Sequence, residues 1–266
     1  MPHIKEILND LTVDNLQESQ VMPTDLTELD ELLEGGLRKG KLYLIASRPS
    51  SGKTSLALTI ACNLAVKQHI PIGYITCDTT NEVGGRMMNM SLCSPNEWSV
   101  LLGEAPVWVE HVNRNMLCSQ AKTLVQNMVC RNNVQVVFVD ALWKEKDDLL
   151  TADILCTMAR ELNVAFVALC PLSRNVDLRP IHLPKLPDVL PYDVSSLADV
   201  VMSIHIPEHY ECEEDEWGST KDRADIIVGK NNMGKTGIVR THFSKKEGAF
   251  LNRNEQTMSV NEELLF

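Results

Sequence analysis

A chain of 266 residues, 44% hydrophobic and 23% charged, is long enough for one large α/β domain with an appendage. Its net charge of -11 argues against a surface built for general nucleic-acid binding, which needs clustered Lys and Arg to neutralise phosphate. The 8 cysteines are scattered with no Cys-x-x-Cys pair, no apolar run is long enough to span a bilayer, and no signal-peptide pattern opens the chain; a reducing, cytoplasmic setting is expected.

In chain order, Ile4, Ile7, Leu8 and Leu11 follow helical spacing, so residues 1–20 read as an amphipathic linker helix and polar linker standing apart from a domain over 21–266. That apolar stripe must dock on its own domain or on a neighbouring subunit. A second helix begins near Pro23, buries Leu26, Leu29, Leu32 and Leu33, and stops at Gly35 and Gly36.

The apolar run 42–46 then turns through Ser47, Arg48, Pro49, Ser50, Ser51 and Gly52 into a helix starting at Lys53, Thr54 and Ser55. Strand, tight loop and helix in this order form the grammar of a P-loop. Glycine at 52 lets the backbone approach phosphate, and successive N–H groups at a helix start make an anion cradle. Residues 47–55 are therefore the candidate nucleotide-binding set. Within it Lys53 neutralises phosphate oxygens and Thr54 offers a hydroxyl to Mg²⁺. The first glycine of the usual pattern is replaced by Ser47.

Further on, a buried strand over 71–77 ends at Asp78, and a helix follows from Glu82. A short strand at 107–109 and a long helix over 116–130 come next. The apolar strand 134–140 ends in Asp140, a carboxylate placed to hold Mg²⁺ or its waters beside a P-loop. A helix over 151–162, strands at 164–170, within 197–204 and at 225–229, and a closing hairpin at 238–243 complete the pattern. Strands alternating with helices predict an α/β fold: a mostly parallel central sheet with helices on both faces and a C-terminal antiparallel hairpin. His205, His209 and Cys212 are too few for a metal site, and residues 211–216 read as a solvated acidic loop.

The segments Thr24–Asp30, Ile45–Thr54, Ala159–Val164, Leu172–Asn175 and Gly229–Gly237 together resemble the C-terminal ATPase domain of DnaB-type replicative helicases, collinearly over roughly residues 20–250. The resemblance implies a RecA-like fold, ATP and Mg²⁺ as cofactors, and a ring in which residues 4–11 pack on the adjacent subunit. It also implies that Asp78 is the catalytic base, in place of the family's glutamate, and that Lys230 faces a neighbour's nucleotide. The chain departs from the family at three further points. Pro171 replaces a γ-phosphate-sensing glutamine, Asn232 replaces an arginine, and the stretch after Asp140 is short and acidic where the family has a longer DNA-facing loop. Arg174 and Arg179 flank a Pro-rich segment that faces DNA in the family.

These readings predict an ATP-binding, slowly hydrolysing protein of DNA replication or repair. Its expected catalytic residues are Lys53, Asp78 and Lys230, and its metal ligands Thr54 and Asp140. The expected role is a nucleotide-dependent regulator or assembly factor, self-associating or joined to a helicase assembly. The rival expectation is a hexameric motor translocating on single-stranded DNA.

Overall fold

Along Leu42–Ser47 (β3) every residue is buried, and the side chains alternate between two cores. Tyr43 and Ile45 face one core, while Leu42, Leu44 and Ala46 face the other. A strand buried on both sides belongs in the middle of a sheet covered by helices. The computed structural model, which describes residues 21–90, 94–112, 118–140, 148–190 and 194–253, places β3 there.

Before it, Val21–Met22 (β1) and Leu37–Arg38 (β2) pair antiparallel around the helix Thr27–Leu32 (α1). After it come Lys53–Cys62 (α2), extended by a π-helical turn at Asn63–Lys67, then Ile72–Thr76 (β4) and Thr80–Asn89 (α3). Pro95–Glu104 (α4), Val107–His111 (β5), Cys118–Asn132 (α5) and Val136–Asp140 (β6) follow. Asp148–Leu162 (α6), Ala165–Pro171 (β7), the single turn Val194–Leu197 (α7) and Val200–His205 (β8) lead to a small hairpin of Glu214–Asp215 (β9) and Gly218–Ser219 (β10). Arg223–Asn231 (β11), Gly237–Ser244 (β12) and Ala249–Leu251 (β13) end the described chain.

The main sheet runs β13-β12-β11-β8-β3-β7-β6-β4-β5. From β8 to β5 all neighbours are parallel, and β11, β12 and β13 add an antiparallel edge. The predicted mostly parallel sheet with a C-terminal antiparallel hairpin is therefore present. One face is covered by apolar residues of α1 to α4, including Leu29, Leu56, Val83 and Trp98; the other is covered by α5 to α7, including Met128, Met158 and Val194. From Leu56 to Cys62 every residue of α2 is buried, so this helix is apolar all round rather than amphipathic.

The structure adds what the sequence pattern did not reveal. Helix α4 starts with Ser94 at its N-cap and proline in its first turn, a legible signal, but only Trp98 of the helix is buried. The acidic stretch 211–216 is more than a solvated loop: Asp215 pairs with Arg223, whose side chain is 7% exposed. That contact, mainly through hydrogen bonds, pulls the Asp215 carboxyl down to about 2. The expected linker helix over residues 1–20 and the acidic loop over 144–148 fall almost wholly outside the described residues. Among the described residues no helix is long and apolar enough to cross a membrane.

Candidate nucleotide-binding site

The carboxyl ends of β3, β4, β6 and β7 lie side by side, with Ser47 opposite Pro171 and Thr76 opposite Asp140. Ligands of open α/β sheets bind at this edge. The P-loop leaves β3 here. Ser50 and Gly52 both take left-handed backbone, at φ 61° and 81°. At Gly52 a Cβ would also stand 3.1 Å from the Phe250 ring, so conformation and packing both call for glycine. The first intrahelical bond of α2 runs from the Leu56 N–H to the Gly52 carbonyl, which leaves the N–H groups of Lys53, Thr54 and Ser55 without a helical acceptor at the loop.

Three side chains converge on one point. The Thr54 hydroxyl donates to Asp140 Oδ2 at 2.9 Å, and the Lys53 ammonium stands 3.6 Å from Oδ1. A third donor, the phenol of Tyr74, reaches Oδ2 at 3.2 Å. Hydroxyl, carboxylate and ammonium at one phosphate-sized loop form a donor set suited to a hard, water-keeping cation and the anion it accompanies. Period-two alternation explains the meeting: Phe138 and Asp140 share the sheet face on which α2 packs, as do Tyr74 and Thr76.

The loop is braced from outside as well. Arg48 donates through Nε and Nη2 to both oxygens of Asp177 and through Nη1 to the Leu172 carbonyl at 2.9 Å. Tyr210 donates to the same Asp177, and Ser51 lies 3.4 Å from His209 Nδ1. Ser47 turns its hydroxyl onto the Arg48 carbonyl at 2.8 Å. Pro49 and Ser50 are exposed.

Asp78 follows β4 at the same edge, half-exposed, with Arg86 Nη1 at 3.0 Å from its carboxylate. Lys230 stands apart. It pairs with Val201 near the start of β8, and its ammonium donates to the Ser195 and Ser196 carbonyls at 3.0 and 2.9 Å. That edge lies opposite the P-loop. Beside the loop, Pro171 brings no polar side chain. Arg179 is bound to the buried Asp188, whereas Arg174 is exposed. His205 is buried against Tyr210, and among the described residues no three His, Cys, Asp or Glu side chains gather as a metal cluster.

A profile for the DnaB-like helicase C-terminal domain matches residues 21–97 and 96–252. The chain belongs to the DnaB-like helicase C-terminal domain family. It is 26% identical over 251 residues to the replicative DNA helicase DnaB of Leifsonia xyli, covering 84% of this chain and 54% of that protein. To the Geobacillus stearothermophilus replicative DNA helicase DnaB it is 25% identical over 286 residues, covering 94% and 62%. The chain thus spans between half and two thirds of the length of these relatives. Among solved structures, the ATPase domain of G40P superposes with a TM-score of 0.80 at 22% identity, covering 95% of this chain and 99% of that one. A DnaB-like replicative helicase described with its interactions with primase also gives 0.80, covering 95% and 67%. The fold is that of RecA-like helicase ATPase domains. Lys53, Thr54 and Asp140, named as candidates from motif and strand end, are brought together by this DnaB-like domain. Tyr74, hidden in an apolar strand, and Asp177, far away in sequence, are contacts the sequence did not point to.

Proposed function

We propose that this DnaB-like domain binds ATP with Mg²⁺ at residues 47–55, hydrolyses it slowly, and serves DNA replication or repair as a nucleotide-dependent regulator or assembly factor. The observation that carries the reading is the meeting of Thr54, Lys53 and Asp140 at the end of the sheet. Lys53 would neutralise phosphate oxygens, and the N–H groups of the loop would cradle them. Thr54 and Asp140 would hold Mg²⁺, which when bound offsets the charge that develops on the phosphates. Asp78 is the group that would orient water.

Slow turnover is supported by three features. Asp78 is engaged by Arg86, Pro171 offers no γ-phosphate sensor, and position 232 carries a neutral amide. The place of Lys230, at the edge opposite its own P-loop, supports a role on a neighbouring copy's nucleotide in a ring or filament. Family membership favours the second reading, a motor translocating on single-stranded DNA, and exposed Arg174 would then contact the strand.

Calorimetry with a non-hydrolysable ATP analogue and Mg²⁺ tests the binding step. The parent should bind and Lys53→Ala should lose at least an order of magnitude in affinity, because an ammonium facing phosphate is removed. Equal binding by both chains overturns the assignment. Unwinding of a forked DNA substrate by the parent would overturn the regulator reading in favour of the motor.

A further inference from the structure

Tyr74 is completely buried in β4, between β5 and β6. Its ring lies near-parallel to Phe138, with centroids 5.8 Å apart and planes at 19°. Its hydroxyl reaches Asp140 Oδ2 at 3.2 Å. A buried hydroxyl needs a partner, and a buried carboxylate needs donors. Asp140 is 5% exposed, and the Tyr74 and Thr54 hydroxyls both donate to its Oδ2 while Lys53 faces Oδ1. The two hydroxyls come from different directions, one from the P-loop helix and one from the neighbouring strand, and fix the plane of the carboxylate between them.

The two donors are not equivalent. Thr54 belongs to the nucleotide cradle and its hydroxyl has its own lone pairs to offer a cation. Tyr74 is fully buried in the sheet, and its hydroxyl donates to Asp140. A phenol facing a carboxylate oxygen donates its O–H to it, so the Tyr74 hydroxyl serves Asp140 as a donor.

We propose that Tyr74 is a positioning residue for Mg²⁺: by holding Asp140 Oδ2 from the sheet side, it presets the carboxylate to receive Mg²⁺ or a water of its shell. This rests on the nucleotide-binding reading above. Partners behind a metal-holding group set its orientation, and their loss commonly costs roughly 10- to 100-fold in metal affinity. One retained donor from Thr54 puts the expected effect at the lower end.

The experiment uses the whole chain and Tyr74→Phe, which keeps the ring, the stacking on Phe138 and the volume. Binding of a fluorescent ADP analogue is titrated with Mg²⁺ and repeated in EDTA. The expected result is about a tenfold higher Mg²⁺ concentration for half-maximal binding, with unchanged affinity in EDTA and a cooperative melting transition that shows the fold retained. Superimposable Mg²⁺ curves overturn the proposal while leaving Asp140 as the metal residue. A parent with no Mg²⁺ dependence overturns both. The same titration in an Asp140→Asn background provides a check that does not depend on the single variant alone. There Tyr74→Phe should shift nothing further, and an equal shift in both backgrounds shows that Tyr74 acts elsewhere.

Discussion

Arg86 Nη1 lies 3.0 Å from Asp78 Oδ2, so the candidate base is ion-paired to the helix that follows it. Both side chains are more than a third exposed, and such a pair contributes at most about 1 kcal/mol to stability. Its effect on position is the larger matter, because a displacement of about 1 Å at a reacting group can cost roughly a hundredfold in rate. Arg86→Gln should free the carboxylate and raise steady-state ATP hydrolysis several-fold, with nucleotide affinity and melting unchanged. A rate that falls instead would show that Arg86 aims the base.

The Arg48–Asp177 contact ties the P-loop to the segment after β7. Its hydrogen bonds with Arg48 are the main reason the Asp177 carboxyl lies below the usual range. Asp177→Asn keeps the shape and removes the charge. Loss of a surface pair should move stability by no more than about 1 kcal/mol, yet the segment should open more often. Limited trypsin digestion should then cut after exposed Arg174 faster in the variant while the remainder of the domain stays resistant. Equal cleavage rates would mean that the stacking of His182 on Tyr210, at 4.1 Å, holds the segment without the ion pair.

How much of this was legible beforehand depended on the range of the interaction. Strands buried on both faces, such as residues 42–47 and 136–140, announce themselves as apolar runs, and Gly52-Lys53-Thr54 announces the loop. The Thr54–Asp140 meeting could be anticipated because the topology forces a strand end beside the P-loop. Tyr74 could not, since an aromatic in a buried strand reads as core until its hydroxyl is given a direction. Arg179 likewise reads in sequence only as flanking a Pro-rich segment, but Asp188 engages it, and nothing local marks that pairing. The two-residue strands β1 and β2 and three-residue β13 are too short to carry a period at all.

His205 supplies a pH-dependent contribution to stability. Burial first, then the Arg223 charge, with His182 and His209 adding and Asp215 opposing, brings its imidazole from 6.5 down to about 4. The unfolded chain therefore binds a proton near pH 6.5 that the folded chain refuses until about pH 4. The contribution is complete above pH 6.5 and is lost as the pH falls through that window; its full size is about 3 kcal/mol. His205→Phe keeps a ring against Tyr210 and removes the proton site, and the Nδ1 it discards has no hydrogen-bond partner. Chemical denaturation at pH 6.5 and pH 4 should show a smaller loss of stability in the variant. Equal losses would place the imidazole in contact with water.

Position 232 offers the sharpest test of the shared-site reading. The turn after β11 is pinned to the body of the domain. Asn231 Nδ2 donates to the Leu32 and Lys235 carbonyls at 2.8 and 3.1 Å, and its Oδ1 accepts from the Met233 N–H at 2.9 Å. The Asn232 N–H donates to the Asp199 carbonyl at 2.9 Å while its side chain is exposed. A longer side chain at 232 therefore extends into solvent without disturbing the turn. Asn232→Arg should leave ATP affinity unchanged, since it acts on charge developing at another copy's γ-phosphate rather than on ground-state binding. The ceiling for such a guanidinium is about 10³- to 10⁵-fold in rate, and Asp78→Glu should add to it by extending the reach of the base. The gain should appear only above the concentration at which the chains assemble, followed by sedimentation under the same conditions. A gain that is independent of concentration, in chains that sediment as monomers, would show that the guanidinium does not act across a subunit interface. Helicase-like turnover already present in the parent, and lost in Asp78→Ala, would show that the site works without an arginine at 232 and is built as a motor.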